Sequence, residues 1–192
     1  LKLAALMHDL GKPATHHIDQ ITRRVSFVGH DSVGVPIVDA ICDRWAMSNA
    51  LRSQLKHLVN THLELGWLLH RPLDSRALWR FLRKVEPVAP EAIALSVADR
   101  LGTAGVDDRR SWVRRHVEVA HATWAAAWHG RAHGVAEPLL NGTEIAAACE
   151  VELGPQIGVL VRALAEAQAT GEVTNRKEAE SCVQQYDVSA EH

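Results

Sequence analysis

The stretch Leu3-Ala4-Ala5-Leu6-Met7-His8-Asp9-Leu10-Gly11-Lys12-Pro13 decides the fold of this chain, because an apolar helix runs directly into adjacent polar residues. Its helical spacing predicts a buried face formed by Leu3, Leu6, Met7 and Leu10. A helix buried in this way carries its last turn inward, so His8 and Asp9 are at least partly desolvated. A desolvated carboxylate is costly unless it is paired, protonated or bound to a cation.

His8 and Asp9 together offer the mixed nitrogen and oxygen donors that suit a divalent metal ion. Gly11 and Pro13 break the helix, and the glycine turn brings the Lys12 ammonium near any anion on that metal. A plainer interpretation stays open, in which His8 caps a helix C-terminus and Asp9 is a surface residue.

His30 stands at the start of a second amphipathic helix, for which Asp31 or Ser32 is the predicted N-cap. Backbone donors and the helix dipole favour an anion at such a position. His30 is therefore either a metal ligand or phosphate contact, or a capping histidine in a loop.

His62 and Asp99 are polar residues on apolar helical stripes. His62 continues the stripe of a helix that opens near Ser48, and it is either a ligand or a satisfied core histidine. Asp99 lies on the stripe of a helix that Pro90 opens, where an inward carboxylate requires a cation. An ion pair with Arg100 is the structural alternative.

Four motifs in this order resemble the HD superfamily of metal-dependent phosphohydrolases: LAALMHDLGKP (3–13), FVGHDSVG (27–34), LVNTH (58–62) and ALSVADRLG (94–102). The resemblance implies a divalent metal centre whose ligands are His8, Asp9, His30, His62 and Asp99. From this ligand set we expect Asp9 to serve also a second ion held by His30 and His62, and Lys12 to neutralise a non-bridging phosphate oxygen. Mg, Mn, Ni, Co, Fe and Zn are all chemically admissible.

The tail carries a narrower resemblance. PLLNGTEI (138–145), GPQIGVLVRALAEAQATGEV (154–173) and TNRKEAESCV (174–183) resemble the C-terminal RNA-binding segment of bacterial CCA-adding tRNA nucleotidyltransferases and poly(A) polymerases. That family also has a His ligand upstream of the HD pair and a nucleotidyltransferase head. The chain starts at Leu1 within a helix and shows neither, so we expect a fragment whose first metal group is one ligand short.

The pattern predicts an all-α protein: an HD-type helical bundle over residues 1–129, then a linker and a small C-terminal helical segment over 130–192. Loops are expected at 14–28, with a small hairpin possible, and at 63–72. Three short helices are expected in the tail, at about Thr143–Cys149, Pro155–Ala169 and Asn175–Tyr186.

Composition narrows the class of protein and its compartment. With 192 residues, a net charge of -2 and a pI near 6.7, the chain has no global attraction to nucleic acid. Cys42, Cys149 and Cys182 form no CxxC pair, which favours a reducing, cytoplasmic compartment. Neither a membrane-spanning apolar run nor a signal peptide is visible, so we expect no membrane partner.

A basic and aromatic helix follows residue 108. Arg110, Arg114 and Arg115 are interleaved there with tryptophans such as Trp112. Such a mixture serves phosphate contact and base stacking. It serves helix packing and a solvated face equally well.

Three functions therefore stay open. The first is an HD-type phosphohydrolase module acting on a phosphomonoester or phosphodiester, in a phosphorylated small molecule or an RNA end. The second is a non-catalytic body that binds RNA, including tRNA, for a CCA-adding or poly(A) polymerase-like nucleotidyltransferase. The third is an all-α domain whose polar core is only structural.

Overall fold

The computed structural model describes residues 1–103, 109–133 and 137–186, with the backbone alone for 109, 110 and 130–133. The predicted all-α class is confirmed. The helices are α1 (Lys2–Met7), α2 (Lys12–Thr15), α3 (His30–Arg44), α4 (Asn49–Thr61), α5 (Glu64–Leu68), α6 (Ser75–Val85), α7 (Ala89–Gly102), α8 (Arg109–His133), α9 (Gly142–Cys149), α10 (Pro155–Ala169) and α11 (Arg176–Gln185). A short antiparallel ribbon, β1 (His17–Ile18) with β2 (Val25–Ser26), pairs His17 with Ser26 and Ile18 with Val25.

The chain divides into two compact units. The first comprises residues 1–73 and 81–129. In it α3 packs along α4, and α1 and α7 both pack against α4. The apolar part of this unit's core is closed to solvent and includes Ala4, Met7, Val38, Leu55, Val59, Leu95 and Val119. Burial of such side chains contributes about 1.5–3 kcal/mol each, which holds the ends of these helices at fixed positions.

The second unit comprises residues 74–80 and 130–192. Its helices α9, α10 and α11 pack together around a core that includes Leu140, Ile145, Leu160, Leu164, Ala179 and Val183. Asn141 and Glu144 form a reciprocal capping box at the start of α9. The sequence placed 74–80 within the first domain, and gave no sign that this segment belongs to the second unit.

Several local expectations were wrong. Leu6 is 71% exposed rather than buried, because α1 packs on the core through the face that carries Ala4 and Met7. The break predicted at Gly11 and Pro13 comes earlier, since α1 ends at Met7, and Pro13 lies in the first turn of the next helix, α2. The N-cap of α3 is Gly29, in the left-handed region at φ 78°, and not Asp31 or Ser32.

Two segments expected to be irregular are helical. Residues 64–68 of the predicted loop form α5. The predicted linker from Gly130 begins inside α8, whose backbone stays helical to His133. None of the described helices combines the length and apolarity needed to span a membrane.

Candidate metal centre

Two of the predicted ligands cap the C-termini of helices. His8 is the C-cap of α1, and its Nδ1 lies 2.9 Å from the carbonyl oxygen of Ala5. His62 is the C-cap of α4, and its Nδ1 lies 2.7 Å from the carbonyl oxygen of Val59. The last carbonyls of a helix have no partner within the helix, so a histidine placed there satisfies one of them.

His30 has the same relation to the turn before it. It is the first residue of α3, and its Nδ1 lies 2.7 Å from the carbonyl oxygen of Phe27. A carbonyl oxygen only accepts hydrogen bonds, so in each of these histidines Nδ1 carries the proton and donates. The neutral rings therefore present Nε2 as a bare lone pair, which is the form that binds a metal.

These nitrogens converge on Asp9. Oδ2 of Asp9 lies 3.3 Å from His8 Nε2, and Oδ1 lies 3.4 Å from His30 Nε2. His62 Nε2 lies 3.1 Å from His30 Nε2, and Asp99 Oδ1 lies 3.6 Å from His8 Nε2. Two groups result, His8–Asp9–Asp99 and Asp9–His30–His62, and the donor atoms of each lie within 4.8 Å of one another.

Several nitrogen atoms of these groups face another lone pair or have no hydrogen-bond partner, and a bound cation would satisfy them. The lone pairs on Nε2 of His30 and His62 face each other at 3.1 Å, which is repulsive for two neutral rings with protonated Nδ1. His8 Nε2 is buried and has no hydrogen-bond partner in the described part of the chain. Buried polar atoms are normally paired, so the imidazole and carboxylate set fits a divalent metal ion.

Local electrostatics also favour a positive charge. Interaction with the Asp99 carboxylate raises the pKa of His8, against the opposing effect of burial. The His8 ring correspondingly lowers the pKa of Asp99, while burial lowers that of His62. The C-terminal ends of α1 and α4, with their partial negative charge, lie at the same place.

Lys12 lies beside the shared carboxylate. Its Nζ is 2.6 Å from Asp9 Oδ2 and 5.6 Å from the centre of the Phe27 ring. Its side chain is 36% exposed, so the ammonium is fixed at the rim of the site while remaining open to solvent. The predicted proximity of Lys12 to the ligands is present, and its role toward a phosphate stays a prediction.

Backbone contact at Gly11 sets the distance between Asp9 and His30. A Cβ built on Gly11 would overlap the carbonyl oxygen of His30 and would lie 2.8 Å from the nitrogen of Gly34. The turn after Asp9 can therefore rest directly on the first turn of α3 only because residue 11 has no side chain. This contact places the two halves of the site against each other.

The basic residues predicted to bind RNA lie elsewhere in the sequence, on α8. Arg114 and Arg115 are exposed, and Arg115 Nη1 lies 3.8 Å from Glu118 Oε2. The side chain of Arg110 lies outside the described residues. Neither Arg114 nor Arg115 belongs to the two ligand groups.

Comparison with known proteins identifies the family to which this site belongs. The HD domain family matches residues 1–104, a range that contains every predicted ligand. This chain is a member of the HD domain family. The resemblance stated from the motifs is thereby confirmed.

Two known relatives are similar to this chain over nearly all of its length. It is 33% identical over 180 residues, 93% of its length, to the CC-adding tRNA nucleotidyltransferase of Thermus thermophilus. It is also 33% identical over 186 residues, 97% of its length, to the A-adding tRNA nucleotidyltransferase of Deinococcus radiodurans. It covers only 38% and 41% of those proteins. No solved structure matches significantly.

Sequence analysis named the candidate ligands and offered a capping role for His8 and His30 as an alternative to metal binding. It did not predict that capping bonds would orient three candidate ligands at once. The three Nδ1 bonds reach carbonyls three residues earlier, at Ala5, Phe27 and Val59. A signal was available for two of them, since His8 and His62 each follow an apolar helix at the position of a C-cap. The contact of Gly11 with His30 joins distant segments and had no local signal.

Proposed function

We propose that residues 1–129 form a metal-dependent phosphohydrolase module that acts on a phosphomonoester or phosphodiester. The observation that carries the proposal is the convergence of three Nε2 lone pairs on the Asp9 carboxylate, with their Nδ1 atoms committed to backbone carbonyls. An all-α domain with a merely structural polar core would be expected to pair these atoms with each other. Membership of the HD domain family supports the same function.

The residues divide into two sets around Asp9. His8, Asp9 and Asp99 would hold one divalent ion, and Asp9, His30 and His62 a second. Such ions, when bound, lower the pKa of water and stabilise the charge of a phosphoryl transition state. The imidazole-rich donor set favours a transition metal over Mg, while leaving Mn, Fe, Co, Ni and Zn as candidates.

Lys12 would bind the phosphate itself. An ammonium group has three donors, and the contact with Asp9 Oδ2 engages one of them. The remaining donors lie at the exposed rim, where they can donate to a non-bridging phosphate oxygen and offset its charge. Asp9 thus fixes the Lys12 ammonium beside the position where the phosphate would lie.

Hydrolysis of two chromogenic esters tests this function. We expect the chain, supplied with Mn²⁺, to hydrolyse p-nitrophenyl phosphate or bis(p-nitrophenyl) phosphate, and Asp9→Asn to abolish this. Lys12→Ala should lower the rate about 100-fold, in the range of other groups that stabilise transition-state charge. His121→Ala, at an exposed position of α8, is the matched control and should retain the parent rate. Equal rates in Asp9→Asn and the parent would contradict the proposal.

A second candidate function is an RNA-binding body. Both relatives are tRNA nucleotidyltransferases by name, and they match the chain well beyond the HD domain range. Arg114 and Arg115 are exposed near Trp112, which is 42% exposed on the same helix. Exposed indole and guanidinium groups are suited to bases and phosphates.

Binding of tRNA separates the two candidates. Under the second, replacing Arg110, Arg114 and Arg115 together by Ala should abolish tRNA binding and leave ester hydrolysis unchanged. The control replaces three arginines that are exposed outside α8, Arg23, Arg24 and Arg44, and removes the same charge. If both triple variants lose affinity equally, the binding depends on net charge, and no specific surface on α8 exists.

A further inference from the structure

A buried polar contact joins α7 to α8. Ser96 Oγ lies 3.1 Å from His116 Nε2, and the two residues are 5% and 2% exposed. Neither belongs to the candidate ligand groups. Both lie in the first compact unit.

The surroundings of His116 make this bond unusual. Its other ring nitrogen, Nδ1, is buried and finds no hydrogen-bond partner among the residues described, and the same holds for Arg100 Nε. Leaving such atoms unpaired is costly, because they lose their hydration and gain no hydrogen bond in exchange. A residue selected for stability alone at a site this closed would be apolar, as Val119 and Ala120 are on the same helix.

The position of Ser96 relates the bond to the metal centre. Ser96 and Asp99 are three residues apart on α7, and residues with this spacing are neighbours on a helix surface. Asp99 is also the ligand that α7 contributes, with Oδ1 3.6 Å from His8 Nε2. A bond that fixes the rotation of α7 at Ser96 therefore fixes the direction of the Asp99 carboxylate.

We infer that Ser96 and His116 are positioning residues, which hold Asp99 in place for the group formed with His8 and Asp9. This inference rests on the proposed function, since it assigns a role relative to a bound metal. Groups that orient metal ligands from outside the coordination shell typically change metal affinity about 10–100-fold when they are removed. Here the orientation would act through the helix rather than through a direct hydrogen bond to Asp99.

A matched control is available on α8. Thr123 is fully buried, and its Oγ1 donates to carbonyls of α8 itself, Val119 and Ala120. Thr123→Val therefore removes a buried hydroxyl from the same helix without a bond to α7. His116→Gln is the conservative variant, because its side-chain amide can still bond to Ser96, whereas His116→Leu cannot.

The test has two measurements on the full chain. The first is hydrogen–deuterium exchange of the α7 amides without metal, which measures directly whether the Ser96–His116 bond stabilises α7. We expect faster exchange over 93–102 in Ser96→Ala and His116→Leu, and parent exchange there in Thr123→Val. The second is Mn²⁺ affinity by titration, which we expect to fall about tenfold or more in the same two variants and to stay near the parent value in His116→Gln.

The outcomes distinguish this inference from the proposed function. Parent-like exchange of α7 in both variants would show that the Ser96–His116 bond does not fix α7, and would overturn the inference at any value of the Mn²⁺ affinity. Faster exchange with unchanged Mn²⁺ affinity would make the bond merely structural and overturn the positioning role. Absence of Mn²⁺ binding in the parent would contradict the proposed function and, with it, a positioning role toward metal.

Discussion

Asp9 is the residue on which the candidate centre depends, because its two oxygens face different histidines. Oδ2 lies near His8 Nε2 and Oδ1 near His30 Nε2, so one carboxylate belongs to both ligand groups. Carboxylates in this arrangement can serve two cations at once, a device common to two-metal sites. The adjacent Lys12 ammonium supplies positive charge on the same oxygen as His8.

Gly11 sets the geometry of this residue, and Gly11→Ala should disturb it. The added Cβ overlaps the His30 carbonyl oxygen, so the turn and α3 must separate. We expect a loss of about 1–3 kcal/mol of unfolding free energy, measured by urea denaturation, together with weaker metal binding. Gly66→Ala is the control: its Cβ meets nothing within 4 Å, and the helical position should gain up to about 1 kcal/mol.

Asp99 should control the protonation of His8 in the metal-free chain. Its carboxylate is the main cause of the raised pKa of His8, so Asp99→Asn should lower that pKa, as measured by NMR titration. Because the pKa is raised in the folded state, this interaction stabilises the fold fully below the unfolded value of about 6.5 and is lost as pH rises through the folded pKa. The same proton competes with metal, so affinity should fall as pH decreases. An unchanged His8 pKa in Asp99→Asn would show that the two groups do not interact.

At the residue scale, the sequence indicated which polar side chains lie together better than which contacts position them. The candidate ligands His8, Asp9, His30, His62 and Asp99 were named because polar groups interrupt apolar helical patterns and fit a known motif order. Exposure of Leu6 could not be foreseen, since it depends on which face of α1 packs on the core, and that packing involves distant parts of the chain.

At the scale of elements, a charged cluster joins α3 to α4. Asp39 on α3 accepts from Arg52 at 2.6 and 2.8 Å, and Lys56 Nζ lies 2.8 Å from the same carboxylate. These hydrogen bonds, that of Arg52 most of all, hold the pKa of Asp39 far below its usual value. The cluster fixes the pairing of the two helices that carry His30 and His62.

Because the pKa of Asp39 is lowered, the effect of Asp39→Asn on stability should depend on pH. A carboxylate with a lowered folded pKa stabilises the fold above its unfolded pKa of about 3.9, and this contribution is lost as pH falls through the folded value. The melting temperature of Asp39→Asn should therefore lie below that of the parent at pH 7, and the gap should narrow from pH 4 downward. A gap of constant size between pH 7 and pH 3 would mean that the charge of Asp39 contributes nothing.

Helices whose starts carry a local sequence signal could be predicted. α4 begins after Ser48 as expected, with the serine side chain accepting from Leu51 N, and α7 contains Pro90 in its first turn. α5 was missed because five residues are too few to show a helical period, and tertiary packing decides such a segment.

At the scale of the whole molecule, each compact unit has a core of its own. Every candidate ligand lies in residues 1–73 and 81–129, whereas α9–α11 lie in the second unit. The motif order predicted the HD fold, because spaced ligands constrain the path of the chain. The assignment of 74–80 to the second unit depends on long-range packing and could not be predicted.

Leu164→Ala should show that metal binding is independent of the second unit. Leu164 is 1% exposed in the core of the second unit, so its truncation should cost about 2–5 kcal/mol, measured by denaturation, without changing metal affinity. Leu55→Ala is the matched variant in α4 of the first unit, also 1% exposed, and should lower both stability and metal affinity. Loss of metal affinity in Leu164→Ala would show that the centre depends on the second unit.

If one shared carboxylate joins two metal-ligand groups, the number of metal ions bound per chain depends on Asp9. We would measure Mn²⁺ bound per chain, by titration and elemental analysis, in the parent, Asp9→Asn, Asp99→Ala and His62→Ala. We expect two ions in the parent, one of them lost in Asp99→Ala, the other lost in His62→Ala, and both lost in Asp9→Asn. Asp9→Asn that binds as much metal as the parent, or a parent that binds none, would contradict it.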